Sequence, residues 1–504
     1  MTPAELDPDQ RSVVACTDRT IRVVAPAGAG KTKTVVERVV NRLARGMDPR
    51  RVLVLTFDTS AAAAVASRLA ERAAACGLST AGLRVATLNA FGYGLLRRYA
   101  SAEHRPVATG GETEDVAAEA REALARRSPA LDDAVPRGEP GDWTDLFARL
   151  KNALLDPRAL DMGAFAETLA RDSPALLEGV GRRGFARAVE AVAWLYVAHE
   201  RGLAARGLMD FDDQKLCACR RLQRDRDLRV RLQRRYAEVV VDEFQDVNRL
   251  DFELVGLLAA RAALVVVGDD DQAIYAFRGC SPEWIIDLER RSGRRVTSLE
   301  LRTNYRNPPN VLAAASRLIR RNRRRIAKRP RAHRTDHAAI EIGSWPGAAE
   351  QAGAIAERIL AWRRGDPRLR WSDFAVLYRM NAESRPLAAA LSAAGIPCRV
   401  RGDREEDGAL PREPVRAATD EAPRDAVSLR TYFRAKGLQW PVVFLTSCNE
   451  GVAPHRRSPV EDERRLFYVA MTRASRALHA YWLDEDGSGA KPSRFLREAK
   501  LLRR

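Results

Sequence analysis

Three short apolar runs between Ile21 and Val267 each end in residues of a different kind. Ile21 to Val24 is an apolar strand candidate that gives way to a loop of small residues, Ala25-Pro26-Ala27-Gly28-Ala29-Gly30-Lys31-Thr32, and then to a helix-like run from Thr34 to Ala44. Glu238 to Val241 reads as a buried strand that runs into Asp242-Glu243-Phe244-Gln245-Asp246. Leu264 to Val267 is a third strand, followed by Gly268-Asp269-Asp270-Asp271-Gln272. In the second half Ile340 to Ile342, Phe374 to Tyr378, Val427 to Arg430, Val442 to Thr446 and Ala477 to Trp482 are strand candidates separated by helix-like runs. That alternation predicts an α/β fold with parallel sheets. The stretch from Phe91 to Gly207 is rich in Ala and Arg and reads as helical, whereas Gly402 to Asp425 is rich in Glu, Asp, Pro and Arg and reads as a loop.

A chain of 504 residues is too long for one hydrophobic core, so three or four domains or subdomains are expected. With 46% hydrophobic and 30% charged residues, and no apolar run near the roughly 18 residues of a membrane span, it reads as a water-soluble protein without a membrane partner. Met1 to Gln10 is acidic and polar rather than an export signal, and seven scattered cysteines suit a reducing compartment, so a cytoplasmic location is expected. Cys217 and Cys219 are the only close cysteine pair; without a second ligand pair they read as ordinary thiols, and no structural metal is expected. Lys and Arg total 85 against 67 acids, a net charge of +18. A polyanion such as nucleic acid fits that balance, and so does an arginine-rich, solvated surface. The motifs decide between them.

Small residues between a strand and a helix let backbone N–H groups approach phosphate oxygens, and the helix N-terminus adds positive potential. In that setting Lys31 is expected to reach the β- and γ-phosphates of a nucleotide and Thr32 to hold Mg²⁺. Ala25 stands where the general phosphate-loop pattern has Gly. Two adjacent carboxylates ending an apolar strand are costly unless a cation pairs with them. Asp242 is therefore expected in the metal shell, and Glu243 is expected to take a proton from the attacking water.

Eight elements follow one another along the chain: Leu6 to Gln10, Ala25 to Thr32, Thr56-Phe57, Val241 to Asp246, Gly268 to Gly279, Asn304-Tyr305-Arg306, Lys436-Gly437-Leu438 and Arg464 to Ala474. Their order resembles that of the UvrD, Rep and PcrA helicases of superfamily 1. The resemblance implies ATP and Mg²⁺ as cofactors, and single-stranded DNA or a duplex with a single-stranded tail as partner. It implies two RecA-like motor domains with a helical insertion in the first: residues 1–90 with 208–291, the insertion at 91–207, and residues 295–403 with 425–504. A short loop at 404–424 then stands where relatives insert a large subdomain called 2B.

The resemblance further implies that Gln10 reads the adenine edge and Tyr305 stacks on the ring. Ala27, Gly28, Ala29, Gly30, Lys31, Thr32 and Lys33 then cradle the phosphates, and Gly437 and Gln439 lie by the nucleotide, with Gln439 toward the ribose. Gln272 is expected to sense the γ-phosphate, with Arg306 and Arg473 as arginine fingers from the second motor domain. Thr56, Phe57, Thr87, Asn89, Tyr275, Phe277, Arg278 and Thr431 fall in motifs that contact DNA in the relatives. The chain departs from the pattern at Phe433 and Asn89, where His is usual, at Arg434 for Ser, at Gln439 for Glu, and at Phe277, where Trp is frequent.

Nine basic residues between Arg320 and Arg334 fit a phosphate-tracking face and a solvated helix and loop equally well. The end-of-motor pattern Pro492 to Leu496 leaves no expected room for an appended nuclease. Two functions fit the whole. One is a 3′ to 5′ DNA translocase or helicase of repair, replication or defence, unwinding poorly alone for want of 2B. The other is an ATP-gated, DNA-sensing subunit of a nuclease complex, of the kind found in the Gabija anti-phage system. An RNA substrate stays open, because nothing in the sequence reads a 2′-hydroxyl.

Overall fold

The computed structural model describes residues 6–172, 182–400, 425–484 and 490–502. The apolar runs of the first half become strands of one parallel sheet. Its members are β1 (Thr20–Val24), β2 (Val52–Thr56), β3 (Arg84–Thr87), β4 (Glu238–Val241), β5 (Ala263–Gly268) and β6 (Thr297–Glu300), in the order β3-β2-β4-β5-β1-β6. Helices cover both faces, so Ile21, Val23, Leu53, Val54, Val239, Val240 and Val265 are fully buried, the pattern expected of an all-parallel sheet. The loops that follow β1, β2, β4 and β5 therefore share one edge, where ligands lodge in sheets of this kind.

Two strands, β7 (Thr303–Asn304) and β8 (Arg331–Ala332), form a short parallel ribbon. A second six-stranded sheet holds β9 (Ala339–Trp345), β10 (Phe374–Tyr378), β11 (Cys398–Val400), β12 (Val427–Thr431), β13 (Trp440–Leu445) and β14 (Ala474–Leu483). Its order is β11-β12-β10-β13-β14-β9, with every pair parallel. Ala27 and Ile274, from loops of the first sheet, are buried in the second lobe's core beside Tyr432, Val443 and Met471. The two lobes thus share apolar contact at the edge that carries the motifs.

Two expected boundaries move. β6 pairs with β1 through Ile21↔Thr297 to Val24↔Glu300, so residues 297–300 complete the first sheet rather than open the second lobe at Arg295. Thr297–Glu300 is a short, half-buried edge strand with polar side chains, which gave no apolar run to read. The helix Leu88–Tyr99 also belongs to the first lobe, not to the insertion, because Phe91, Leu95 and Leu96 are buried with Leu55, Val239 and Val241. The insertion starts beyond it, at a neck where Val107 bridges Met209 and Ala108 N donates to Met209 O at 2.8 Å. Its helices bury a separate core of Leu124, Trp143, Phe147, Phe165 and Tyr196. The short loop expected at 404–424 lies outside the described residues.

Within the basic run Arg320 to Arg334, Arg320, Arg321, Arg323, Arg329 and Arg331 are exposed, but its middle departs from both expectations. Lys328 is buried among Asp269, Asp270 and Asp271 of the loop after β5, with Nζ 2.7 Å from Asp269 and 2.8 Å from Asp271. Arg325 pairs with Asp271 at 2.6 Å, and Arg324 pairs with Asp287 at 3.0 Å. Burial opposes the charge on Lys328, but the three aspartates outweigh it and hold the ammonium well above its ordinary value. Asn322, in the same segment, is tied to Glu461 O and Arg464 of the second lobe. Arg324, Arg325 and Lys328 therefore form an ionic joint between lobes.

Breaking a buried pair leaves an uncompensated charge, which costs about 3–5 kcal/mol. Lys328→Met should lower stability in denaturant unfolding by that order. The deficit should shrink as pH falls, since carboxylates without their cation have folded-state pKa values above the unfolded ones, so their penalty is present at neutral pH and relieved by protonation. A pH-independent deficit would assign the loss to packing instead.

Candidate functional site

The loop after β1 is built for close approach. Gly28 and Gly30 take φ of +74° and +79°, and Gly30 caps the helix Lys31–Ala44. A Cβ on Gly28 would lie 2.7 Å from Cβ of Arg306, and one on Gly30 would lie 2.9 Å from Nε2 of Gln10. Both positions need a residue without a side chain. The loop's carbonyls are held from outside: Asn304 Nδ2 donates to Ala27 O at 2.6 Å, Tyr305 N to Gly28 O at 2.9 Å, and Gln10 Nε2 to Ala29 O at 3.3 Å. Lys31 and Thr32 stand in the first helical turn, half-buried, and Lys33 is exposed beside them.

Across from this helix end, Asp242 and Glu243 leave β4. Asp242 is buried, and desolvation followed by the neighbouring Glu243 pushes its carboxyl up to about 7. Glu243 sits in a left-handed conformation, φ +53°. Its Oε1 lies 3.7 Å from Lys31 Nζ, and its Oε2 accepts from Gln245 Nε2 at 2.5 Å. Burial opposes ionisation of Glu243, but Lys31 and Lys436 outweigh it and keep it below the usual carboxylate range. The two acids therefore differ. One is poised to exchange a proton for a cation, and the other stays ionised and oriented.

The opposite wall comes from the second lobe. Arg473 is buried, with Nε donating to Val469 O at 2.8 Å, Nη1 to Leu438 O at 3.1 Å and Nη2 to Gln272 Oε1 at 3.2 Å. Gln272 in turn donates from Nε2 to Asp269 at 2.7 Å. Arg306 donates from Nε to Gln439 Oε1 at 2.7 Å and from Nη1 to Thr472 O at 3.4 Å. Burial, and then the nearness of Arg306, pull Arg473 below its ordinary value; burial does the same to Arg306. Neither guanidinium forms an ion pair with a carboxylate among the described residues. The structure thus brings Lys31, Asp242, Glu243, Gln272, Arg306 and Arg473 around one cleft with two arginines lacking an anion. A nucleotide triphosphate fits that donor set, with Thr32 and Asp242 as the residues that would hold magnesium.

Other expected nucleotide contacts are placed differently. Gln10 is buried, and its amide is engaged by Ala29 O and by Asp7 N, which donates to Oε1 at 3.2 Å. It braces the loop. Tyr305 donates from its hydroxyl to Asp7 at 2.7 Å, with its ring 5.0 Å from that of His333. Gly437 is exposed with φ +81°, and Gln439 faces Arg306.

A run of aromatic rings crosses the lobe junction near this cleft. Phe57 stacks on Tyr275 with centroids 5.2 Å apart, Tyr275 meets Phe277 edge-on at 6.0 Å, and Phe277 meets Phe433 edge-on at 5.4 Å. Phe277 is 51% exposed, the most open of the large apolar side chains. Arg278 lies over Tyr275 and Phe277, and Arg379 over Phe433. Asn89 donates to the carbonyl of Phe211, itself an exposed aromatic. The hydroxyls of Thr56, Thr87 and Thr431 are turned to backbone: Thr56 donates to Asp58 O, Thr87 caps its helix at Ala90 N, and Thr431 accepts from Arg434 N.

Sequence reasoning assigned no role to several residues that organise the site. Asn304 and Asn307 link the phosphate loop to Thr472 O and Ala474 O, which flank Arg473. Lys436 bonds Asp246 and, at 2.8 Å, Gln272 O, while its Nζ stands 4.8 Å from the centroid of Tyr275. The signal for Asn304 and Lys436 was their place beside named motif residues. Phe211 offered none beyond being an aromatic between aspartates.

The chain belongs to the UvrD/REP helicase family: residues 6–292 match its N-terminal domain, and residues 299–405 and 410–485 match the UvrD-like helicase C-terminal domain. It is 31% identical to the ATP-dependent DNA helicase UvrD2 of Mycobacterium tuberculosis, over 98% of this chain and 81% of that protein. It is 33% identical to UvrD1 of the same organism and 27% identical to the helicase Rep of Escherichia coli, in each case over 79% of this chain. Those two matches span 50% and 55% of the relatives' own length, so the chain covers about half of each.

The unpaired arginines give a measurable expectation. A non-hydrolysable triphosphate should raise the thermal midpoint more than the diphosphate at equal free concentration, and Arg473→Ala should remove that difference. Ligand at about 100 times its Kd contributes about 2.7 kcal/mol, enough to resolve in thermal melts. Equal stabilisation by both nucleotides in the wild type would remove Arg473 from the γ-phosphate.

Proposed function

We propose that this protein is an ATP-driven DNA motor, a translocase or helicase moving 3′ to 5′ along single-stranded DNA, in a compact form without a large 2B subdomain. The observation that carries the reading is the position of Lys436. One ammonium group joins Asp246 of the acidic loop, the backbone of Gln272 and the face of Tyr275. The catalytic loops and the aromatic run are therefore tied by a single second-lobe side chain. Any shift of that lobe on nucleotide binding moves the rings with it.

Glu243 is the residue to accept a proton from the attacking water, because Lys31, Lys436 and Gln245 keep it ionised and oriented. Arg306 and Arg473 stabilise charge that spreads over the transferred phosphoryl group, and such fingers contribute about 10³–10⁵ in rate. Magnesium, held by Thr32 and Asp242, would neutralise charge on the phosphates. Phe277, flanked by Tyr275 and Phe433, supplies stacking surface for bases. A motor that ignores sequence needs such contacts, each worth about 1–3 kcal/mol. The compact reading is supported by the alignment to UvrD2, which runs over 603 positions against a chain of 504 residues.

Glu243→Gln should abolish DNA-stimulated ATP turnover while nucleotide binding persists; retained turnover would remove Glu243 from its role. Phe277→Ala should raise the DNA concentration needed for half-maximal stimulation by about 5- to 150-fold, the equivalent of one stacking contact. The direction and the motor activity are tested by streptavidin displacement from end-biotinylated single strands. Displacement from the 5′ end alone is expected. Turnover without displacement from either end would instead favour an ATP-gated subunit that controls a partner nuclease.

A further inference from the structure

The edge of the first sheet opposite the cleft is also strongly charged. β2, β3 and β4 begin there. Arg51 immediately precedes β2, and Arg84 opens β3. Arg97 and Arg98 close the helix Leu88–Tyr99, and Arg234 and Arg235 close the helix Arg226–Arg235 just before β4. The strand register keeps them together: Leu53 pairs with Arg84, and Ala237 N donates to Arg51 O at 2.8 Å. Three of the guanidiniums lie over rings, Arg84 on Phe91 at 4.9 Å, Arg98 on Tyr99 at 5.5 Å and Arg235 on Tyr236 at 5.6 Å. The charges bearing on Tyr236 are Arg235, Arg84 and Arg98.

None of these six arginines forms an ion pair with a carboxylate among the described residues. Nearby acids are committed elsewhere: Asp48 caps the turn at Arg50 N, Glu103 pairs with Arg221, and Glu238 pairs with Arg38 and Arg42. Arginines at helix C-termini also complement the helix dipole, which explains part of the pattern. That term is about half a charge per helix. Two helices therefore offset about one of six positive charges, and the excess is left facing water.

We infer that this edge is a second nucleic-acid surface, one that takes the phosphate backbone of duplex DNA. Guanidinium groups fixed against rings present oriented forks to phosphate oxygens. The rings beneath them are covered, so this surface offers no free platform to a base, in contrast to Phe277 in the cleft. A ligand that shows only its backbone suits it, and duplex DNA carries one charge per ~1.7 Å of axis. The surface lies at the far end of the strands from the nucleotide cleft, so a single strand in the cleft and a duplex here can be held together.

The test uses the full chain, a labelled short blunt duplex and excess unlabelled oligothymidylate to fill the cleft, with anisotropy followed over a salt titration. The duplex should bind in the presence of oligothymidylate. The triple variant Arg97→Ala, Arg98→Ala, Arg234→Ala should weaken duplex binding at least about ten-fold and flatten the log–log salt slope by about two to three, at about 0.9 per lost contact. The corresponding triple lysine variant should retain most of the slope. All three side chains are exposed, so the thermal midpoint should stay at the wild-type value. Oligothymidylate-stimulated ATP turnover in the same samples reports on the cleft separately, so failure of the motor reading is distinguishable from failure of this one. Complete displacement of duplex by oligothymidylate, or wild-type affinity in the alanine variant, would overturn the inference. Displacement by polyglutamate at lower concentration than by competing duplex would also overturn it, pointing to an acidic protein in place of DNA.

Discussion

Two arginines held between lobes without a carboxylate partner set the terms for the rest of the structure. Burying a charge without a counter-ion is among the most costly arrangements a protein can keep. Arg473 accepts that cost with its donors aimed at backbone carbonyls and uncharged side-chain oxygens, and the half-buried Arg306 is held likewise by Gln439 and Thr472. A carboxylate in place of Gln272 would pair with Arg473 and compete with any other anion for it. Uncharged partners fix their direction and leave their charge available.

The same wall reaches toward the aromatic run. Lys436 touches the acidic loop, Gln272 and Tyr275 at once, so nucleotide chemistry and ring positions share one rigid element. Phe433 stands where the relatives usually carry His, and the structure gives this departure a physical content. An apolar ring there meets Phe277 edge-on and carries Arg379 on its face, extending the run of rings from the first lobe into the second. A histidine would trade part of that contact for a polar one. The chain replaces a hydrogen-bonding link by an aromatic link at the same junction.

Much of this was legible in the sequence because the chemistry sits at the ends of apolar strands. Glu238–Val241 and Phe374–Tyr378 coincide with the observed strands residue for residue, since buried parallel strands read as unbroken apolar runs. β6 escaped notice for the converse reason, being a polar edge strand of four residues. The helix Leu88–Tyr99 was misassigned because periodicity shows that a face is apolar and says nothing about which core receives it. The basic run after Arg320 was undecidable for a deeper reason: its partners Asp269, Asp270 and Asp271 lie more than fifty residues away. Long-range pairing of that kind leaves no local pattern. Thr56, Thr87 and Thr431 illustrate a different limit, for a motif position fixes where a hydroxyl stands and not which way it turns.

The lobes meet through two charge clusters of opposite character. Around Lys328 an ammonium and a guanidinium face three buried aspartates, and the cluster is satisfied from within. Separating it would expose several charges that have already lost their water. Arg473 and Arg306, both second-lobe side chains, form no ion pair with a carboxylate among the described residues and are held instead by hydrogen bonds to Gln272, Gln439 and backbone oxygens. The first joint is satisfied by its own opposite charges, and the second is made by hydrogen bonds to uncharged groups, such as that from Arg473 to Gln272. The two clusters therefore join the same lobes by different means, charge neutralised from within at Lys328 and hydrogen bonding to uncharged groups at Arg473.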